Sequence, residues 1–118
     1  MFVNKELMKG STVILILTLL DGKSMYGYEM IKEIEVRSGG VFTFKEGTLY
    51  PILHNLEGEG MVECYWTETE GGRKRKYYSI TKTGKLHMKE KQEEWKKFSS
   101  AVNKVILEVS RWKQEVLR

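Results

Sequence analysis

The sequence predicts a mainly α-helical protein with one small β-hairpin and a long C-terminal helix. Three observations predict it. Leu49, Ile52, Leu53 and Leu56 recur at i, i+3, i+4 and i+7, the spacing of a helix with one buried face. Two β-rich segments, Met61–Thr67 and Arg75–Ile80, flank a Gly71-Gly72 turn. From Trp95 onward, Phe98, Val102, Val105, Val109, Trp112 and Val116 follow at alternating intervals of 3 and 4, an a/d heptad seam.

The chain has 118 residues, enough for one domain with a real core. Hydrophobic content of 41% and charged content of 31% exclude an extended disordered chain. Net charge is +4, but its distribution says more than its sum. Residues 71–91 carry Arg73, Lys74, Arg75, Lys76, Lys82, Lys85, Lys89 and Lys91 against Glu90 alone, whereas residues 57–70 carry five glutamates and no Lys or Arg. A basic block beside an acidic one is a directed patch, suited to an anionic partner. The single cysteine, Cys64, excludes an intrachain disulfide and suggests a reducing compartment. The longest apolar run, Val13–Leu20, is too short to span a bilayer, and MFVNKELMKG has no leader pattern, so a cytoplasmic protein without a membrane partner is expected.

Taken in order, Ser11–Leu20 reads as a helix apolar on nearly every side and therefore buried, with a strand as the competing reading over VILIL. Ser24 can cap a second helix with Tyr28, Ile31 and Ile34 on one face, stopped by Ser38-Gly39-Gly40. Val41–Phe44 is a short extended piece. The third helix, Glu46–Glu59, has an opposite face of Gly47, Thr48, Pro51, His54, Asn55 and Gly58. That face is short of bulk and has no acid at its centre, so it can approach a second rigid surface closely. In the hairpin, alternation places Val62, Cys64 and Trp66 on one face, with Tyr78 and Ile80 of the returning strand as their partners. The tip projects Arg73, Lys74, Arg75 and Lys76. Two helices, a core-packed third helix and a hairpin in this order spell a winged helix-turn-helix over residues 1–81. Thr81 or Thr83 caps the last helix, a dimerisation helix over residues 82–118. Thirty-odd helical residues would reach roughly 50 Å, and exposed tryptophans on a monomer would form a large apolar patch. A second copy is the economical cover, through Met88, Trp95, Phe98, Val102, Val105, Val109 and Trp112.

The expected partner is double-stranded DNA. The polar face of the third helix fits the major groove, where Thr48, Tyr50, His54 and Asn55 offer hydroxyl, imidazole and amide groups and Gly47 and Pro51 keep the surface low. Tyr26, near the start of the second helix, is placed to donate to a phosphate. Arg73, Lys74, Arg75 and Lys76 are expected on phosphate or in the minor groove. A basic hairpin tip is also a common solvated loop; the neighbouring helix makes DNA the better reading.

MYGYEMIKEI at 25–34, EGTLYPILHNLEGEGMV at 46–62, GGRKRKYYSITKTG at 71–84 and EEWKKF at 93–98 resemble, in order, PadR-type transcriptional regulators of the short subgroup with one C-terminal helix. The resemblance implies a homodimeric repressor of a neighbouring gene or an efflux system, released from DNA by a small molecule or stress signal. It departs at Asn55, where the family usually carries Arg, which removes one phosphate or base contact from the inherited pattern. Trp95 and Phe98 suit a dimer core, and near the dyad they could also wall a pocket for a planar aromatic ligand.

Other classes fit less well. Two histidines and one cysteine provide neither a metal site nor a nucleophilic triad, and Gly71-Gly72 lacks the following helix of a phosphate loop, so no enzyme and no cofactor is expected. Cys64 reads as a small buried strand residue. A protein-binding adaptor with the same fold is the main competitor, and it predicts no salt-sensitive DNA affinity.

Overall fold

The computed structural model describes residues 5–117. The reading of the N-terminal stretch as leaderless rests partly on residues 1–4, which lie outside the described residues. The elements are α1 (Lys5–Lys9), α2 (Thr12–Gly22), β1 (Met25–Tyr26), α3 (Gly27–Arg37), α4 (Glu46–Gly58), β2 (Val62–Glu68), β3 (Lys74–Ile80) and α5 (Lys82–Val116). The chain is mainly helical with a small antiparallel sheet, as the periodicities require. No described helix is long and apolar enough to cross a membrane.

The sheet has three strands in the order β1-β3-β2. The hairpin accounts for two. The third is a correction: Ser24 does not cap a helix, because Met25 and Tyr26 pair with Tyr78 and Tyr77 of β3. The Ser24 hydroxyl instead bonds that of Ser79 at 2.7 Å. Helix α3 therefore begins at Gly27, with no side-chain cap. Val41–Phe44 forms no strand; its contribution is Phe44, which is buried.

Packing divides the chain into two units, one ending at Met88 and the other beginning at Lys89. The first holds the core, with Ile16, Leu17, Met30, Leu49, Leu53 and Val62 as its largest fully buried side chains. In α2, Thr12, Ile16, Leu17 and Leu20 form the buried face, while Val13, Leu15 and Leu19 pack at its margin. Met30 joins Ile31 and Ile34 in the core and Tyr28 stays exposed.

Two backbone devices place β2 and the start of α5. Gly60, at φ +74°, ends α4 in the left-handed conformation, and the Met61 and Gly60 N–H groups donate to Leu56 and Glu57 carbonyls, the Schellman pattern. Thr81 is the cap of α5: its hydroxyl accepts from the Gly84 N–H at 3.0 Å and donates to the Gly60 carbonyl at 2.6 Å. Gly84 then lies so close to β2 that a Cβ there would land on the Met61 carbonyl. This brings Met88 into the first unit's core at 4% exposure, which corrects its place in the expected seam. Burial by its own protomer leaves it no surface for a second copy.

In the second unit no described residue is buried. Trp95, Phe98, Val102, Val105, Val109 and Trp112 are all exposed, and the Trp95 and Phe98 rings lie 6.1 Å apart at 35°.

Candidate nucleic-acid interface

Helix α4 divides cleanly. Leu49, Leu53 and Leu56 are buried, while Gly47, Thr48, Pro51, His54, Asn55 and Gly58 are exposed. Pro51 sits within the helix without ending it. It lacks the N–H that would meet the Gly47 carbonyl, and both residues lie on the exposed face. The groups expected to read bases are thus presented together by one rigid element.

Tyr50 is different. Its ring covers Gly27, the first residue of α3: a Cβ on Gly27 would lie 2.5 Å from the phenol oxygen and 2.8 Å from Cζ. Burial foremost, and the charge of Glu46 second, push the phenol above its ordinary pKa. Tyr50 therefore joins the two helices of the helix-turn-helix, although 42% of its surface remains open. Gly27 is the residue that sequence reasoning missed, because nothing near it in the chain announces a ring arriving from residue 50.

Tyr26 also has a structural partner. The Arg75 guanidinium carbon lies 4.4 Å from its ring centroid, a cation–π geometry, and the Tyr77 ring meets it edge-on at 5.5 Å. Tyr77 in turn stacks on Tyr65 at 5.6 Å. These rings form a row across β1, β3 and β2, in the register Tyr26↔Tyr77↔Tyr65.

The wing turns through Gly72, at φ +76°, with the Thr69 N–H donating to the Arg73 carbonyl at 2.8 Å. Strand alternation separates its cations. Arg75 shares a face with Tyr77, and its side chain lies over Tyr26. Lys76 shares the opposite face with Tyr78 and lies 5.3 Å from that ring and 3.7 Å from Glu57 Oε1. Arg73 and Lys74 are exposed and form no side-chain hydrogen bond or ion pair among the described residues. Of the four expected phosphate contacts, two are free at the tip and two are braced against the body.

Cys64 corrects the expectation of a fully buried thiol, and burial falls off along β2. Val62 is buried, Cys64 is half-buried, and Trp66 is 62% exposed. All three point to one side, but the wing outruns the core beneath it. The Cys64 thiol donates to Glu57 Oε2 at 2.7 Å. That bond to the carboxylate, with burial second, pushes the thiol above its usual pKa. The same hydrogen bond foremost, with the charge of Lys76 adding to it against a burial effect, holds the Glu57 carboxyl below the usual range. Among the described residues no cluster of three or more His, Cys, Asp or Glu is arranged to hold a metal.

The "Transcriptional regulator PadR-like family" matches the chain over residues 16–90. An uncharacterized protein of Lysinibacillus sphaericus is 39% identical over 93 residues, 79% of this chain and 85% of that one. The transcriptional regulator YqjI of Escherichia coli (strain K12) is 32% identical over 85 residues, 72% of this chain but only 39% of YqjI. The chain thus spans about two-fifths of that relative's length. Among solved structures, a transcriptional regulator from Clostridium thermocellum is similar at a TM-score of 0.79 and 33% identity, covering 86% of this chain and 96% of that one. A PadR-like transcriptional regulator from Bacillus cereus strain ATCC 14579 is similar at a TM-score of 0.76 and 30% identity, covering 86% and 97%.

Proposed function

Because the chain belongs to the PadR-like family of transcriptional regulators, which bind DNA and are not enzymes, we propose that it represses transcription as a homodimer on a two-fold DNA operator. The observation that carries this reading is the exposed, low-profile polar face of α4 beside a wing tip whose Arg73 and Lys74 side chains form no hydrogen bond or ion pair among the described residues. Thr48, His54 and Asn55 read base edges in the major groove, where a lost bidentate contact costs about 1–3 kcal/mol of discrimination. Arg73 and Lys74 contact phosphate. Tyr50 and Pro51 shape the reading surface, and Tyr26 offers its hydroxyl to phosphate while its ring carries Arg75. The division of labour follows the chain, with residues 1–81 on DNA and the helix from 82 to 118 on the second copy.

The exposed seam of α5 supports the homodimer, and two reading helices related by a dyad imply half-sites one or two helical turns apart. The Trp95 and Phe98 rings near the dyad supply aromatic walls for a planar ligand whose binding lowers DNA affinity. Selection of bound DNA from a random pool tests the reading directly. A palindromic motif is expected; a single asymmetric half-site counts against the dimeric operator, and no enrichment counts against specific DNA binding. On the enriched site, Lys74→Ala is expected to flatten the dependence of log affinity on log salt by about 0.9 for each protomer. An unchanged slope removes Lys74 from the phosphate contacts.

A further inference from the structure

One carboxylate joins the reading helix to the wing. Glu57 stands on the flank of α4 that also carries Tyr50 and His54, at i, i+4 and i+7, so it borders the exposed reading face. Its two oxygens take different strands: Oε2 accepts from Cys64 of β2 at 2.7 Å, and Oε1 faces Lys76 of β3 at 3.7 Å. No other side-chain hydrogen bond or ion pair links α4 to β2 or β3 among the described residues. The Glu57 and Lys76 side chains are both about a third exposed, at 30% and 32%, so the pair sits at the surface and not in the core.

We propose that Glu57 is a specificity-determining residue: it holds Lys76 against the reading helix and so keeps this wing cation from neutralising DNA phosphate. The proposal rests on the DNA-binding reading above and adds to it. A lysine free in solution gains affinity for any duplex by releasing condensed counterions, with no regard to sequence. A lysine paired to a carboxylate must first give up that partner, and the carboxylate left behind repels the phosphate. Lys76 is therefore withheld from non-specific binding, while Arg73 and Lys74 at the tip remain available. The register gives the pair a second effect. Trp66 lies opposite Lys76 and stands clear of the core, so the Glu57 contacts are what tie this level of the wing to α4.

The test is the salt dependence of binding to an arbitrary duplex and to the selected site, measured with the full chain. Glu57→Gln keeps the shape and an acceptor for the Cys64 thiol but removes the charge that holds Lys76. It is expected to steepen the salt slope on the arbitrary duplex by about 0.9 for each protomer and to lower the ratio of specific to non-specific affinity. Adding Lys76→Met to Glu57→Gln is expected to return the slope to that of the unmodified chain. Glu59→Gln makes the same change of formal charge on an exposed residue with no contact to Lys76, and is expected to leave the slope where it was. An unchanged slope in Glu57→Gln, or an equal steepening in Glu59→Gln, overturns the proposal. If the unmodified chain shows no salt-dependent DNA affinity, the DNA-binding reading itself fails and this assignment falls with it. If it binds normally and only the Glu57 variants behave as controls, the assignment alone is lost.

Discussion

The residues up to Met88 and those from Lys89 onward use the same kinds of apolar side chain in opposite ways. In the first unit, Ile16, Leu17, Leu20, Met30, Ile34, Leu49, Leu53 and Leu56, at helical spacings, are buried almost completely against one another. In the second, the spacing is just as regular, yet Phe98, Val105 and Trp112 each leave more than half of their surface open and Trp95 nearly half. Periodicity thus marks which face of a helix is apolar but not what will cover it. The first unit answers that question within one chain, and the homodimer is our answer for the second.

The comparison breaks most severely at the seam. Val102→Glu combined with Phe98→Glu places charge at consecutive a/d positions and is expected to give monomers in sedimentation. Since a linked second site commonly raises affinity by about 10²–10⁴, operator binding is expected to weaken on that order. A variant that stayed dimeric would move the interface elsewhere. Next in size is Gly84→Ala in the first unit. The added methyl meets the Met61 carbonyl, a backbone atom that cannot swing aside, and overpacking of this kind costs about 1–3 kcal/mol. Urea denaturation reads it; a shift below a few tenths would show that the helix start can slide.

The Cys64–Glu57 contact gives a pH test of the first unit. The raised Cys64 pKa contributes stability fully present below the thiol's unfolded value, which is lost as pH rises through the folded one. The lowered Glu57 pKa contributes stability present above the carboxyl's unfolded value, which is lost as pH falls through the folded one. The contact is therefore firmest between the two unfolded values. Iodoacetamide is expected to alkylate Cys64 slowly near pH 8, and faster in Glu57→Gln, where the carboxylate no longer opposes the thiolate. Equal rates in both proteins would mean that burial alone protects the thiol.

Helix α4, the turn at Gly71-Gly72 and the long tail helix were legible in the sequence because each is written in residues a few positions apart. The features that escaped reading depend on partners far along the chain. Met25 and Tyr26 become a strand only because β3, some fifty residues later, offers its edge. Gly27 matters only because Tyr50 covers it. For Trp66, alternation indicated the correct face of β2, but how far the core extends beneath that face is a property of the helices. Met88 fits the seam by spacing and the core by location, and contact through Gly84 and Thr81 decides between them. In the candidate site, the exposed polar residues of α4 were read directly, whereas the separate fates of Arg75 and Lys76 required the register.

The smallest expected effect is the most exacting check on the tail. Leu107 is as exposed as its neighbours, at 54%, but in the heptad that places Val102 and Val109 at a it falls at f, away from the seam. If exposure alone made a tail residue part of the interface, Leu107→Ser would loosen the dimer much as Val105→Ser does. If the alternating intervals of the seam define the interface, Leu107→Ser removes only a solvated side chain. Its effect on stability is then within about 0.5 kcal/mol, with dimer dissociation unchanged. Sedimentation of the two single variants side by side separates these cases, since they remove similar apolar area two residues apart on one helix. A loss of dimer in Leu107→Ser equal to that in Val105→Ser would mean that the tail associates through more than one face, and the two-fold pairing drawn from its spacing would have to be abandoned.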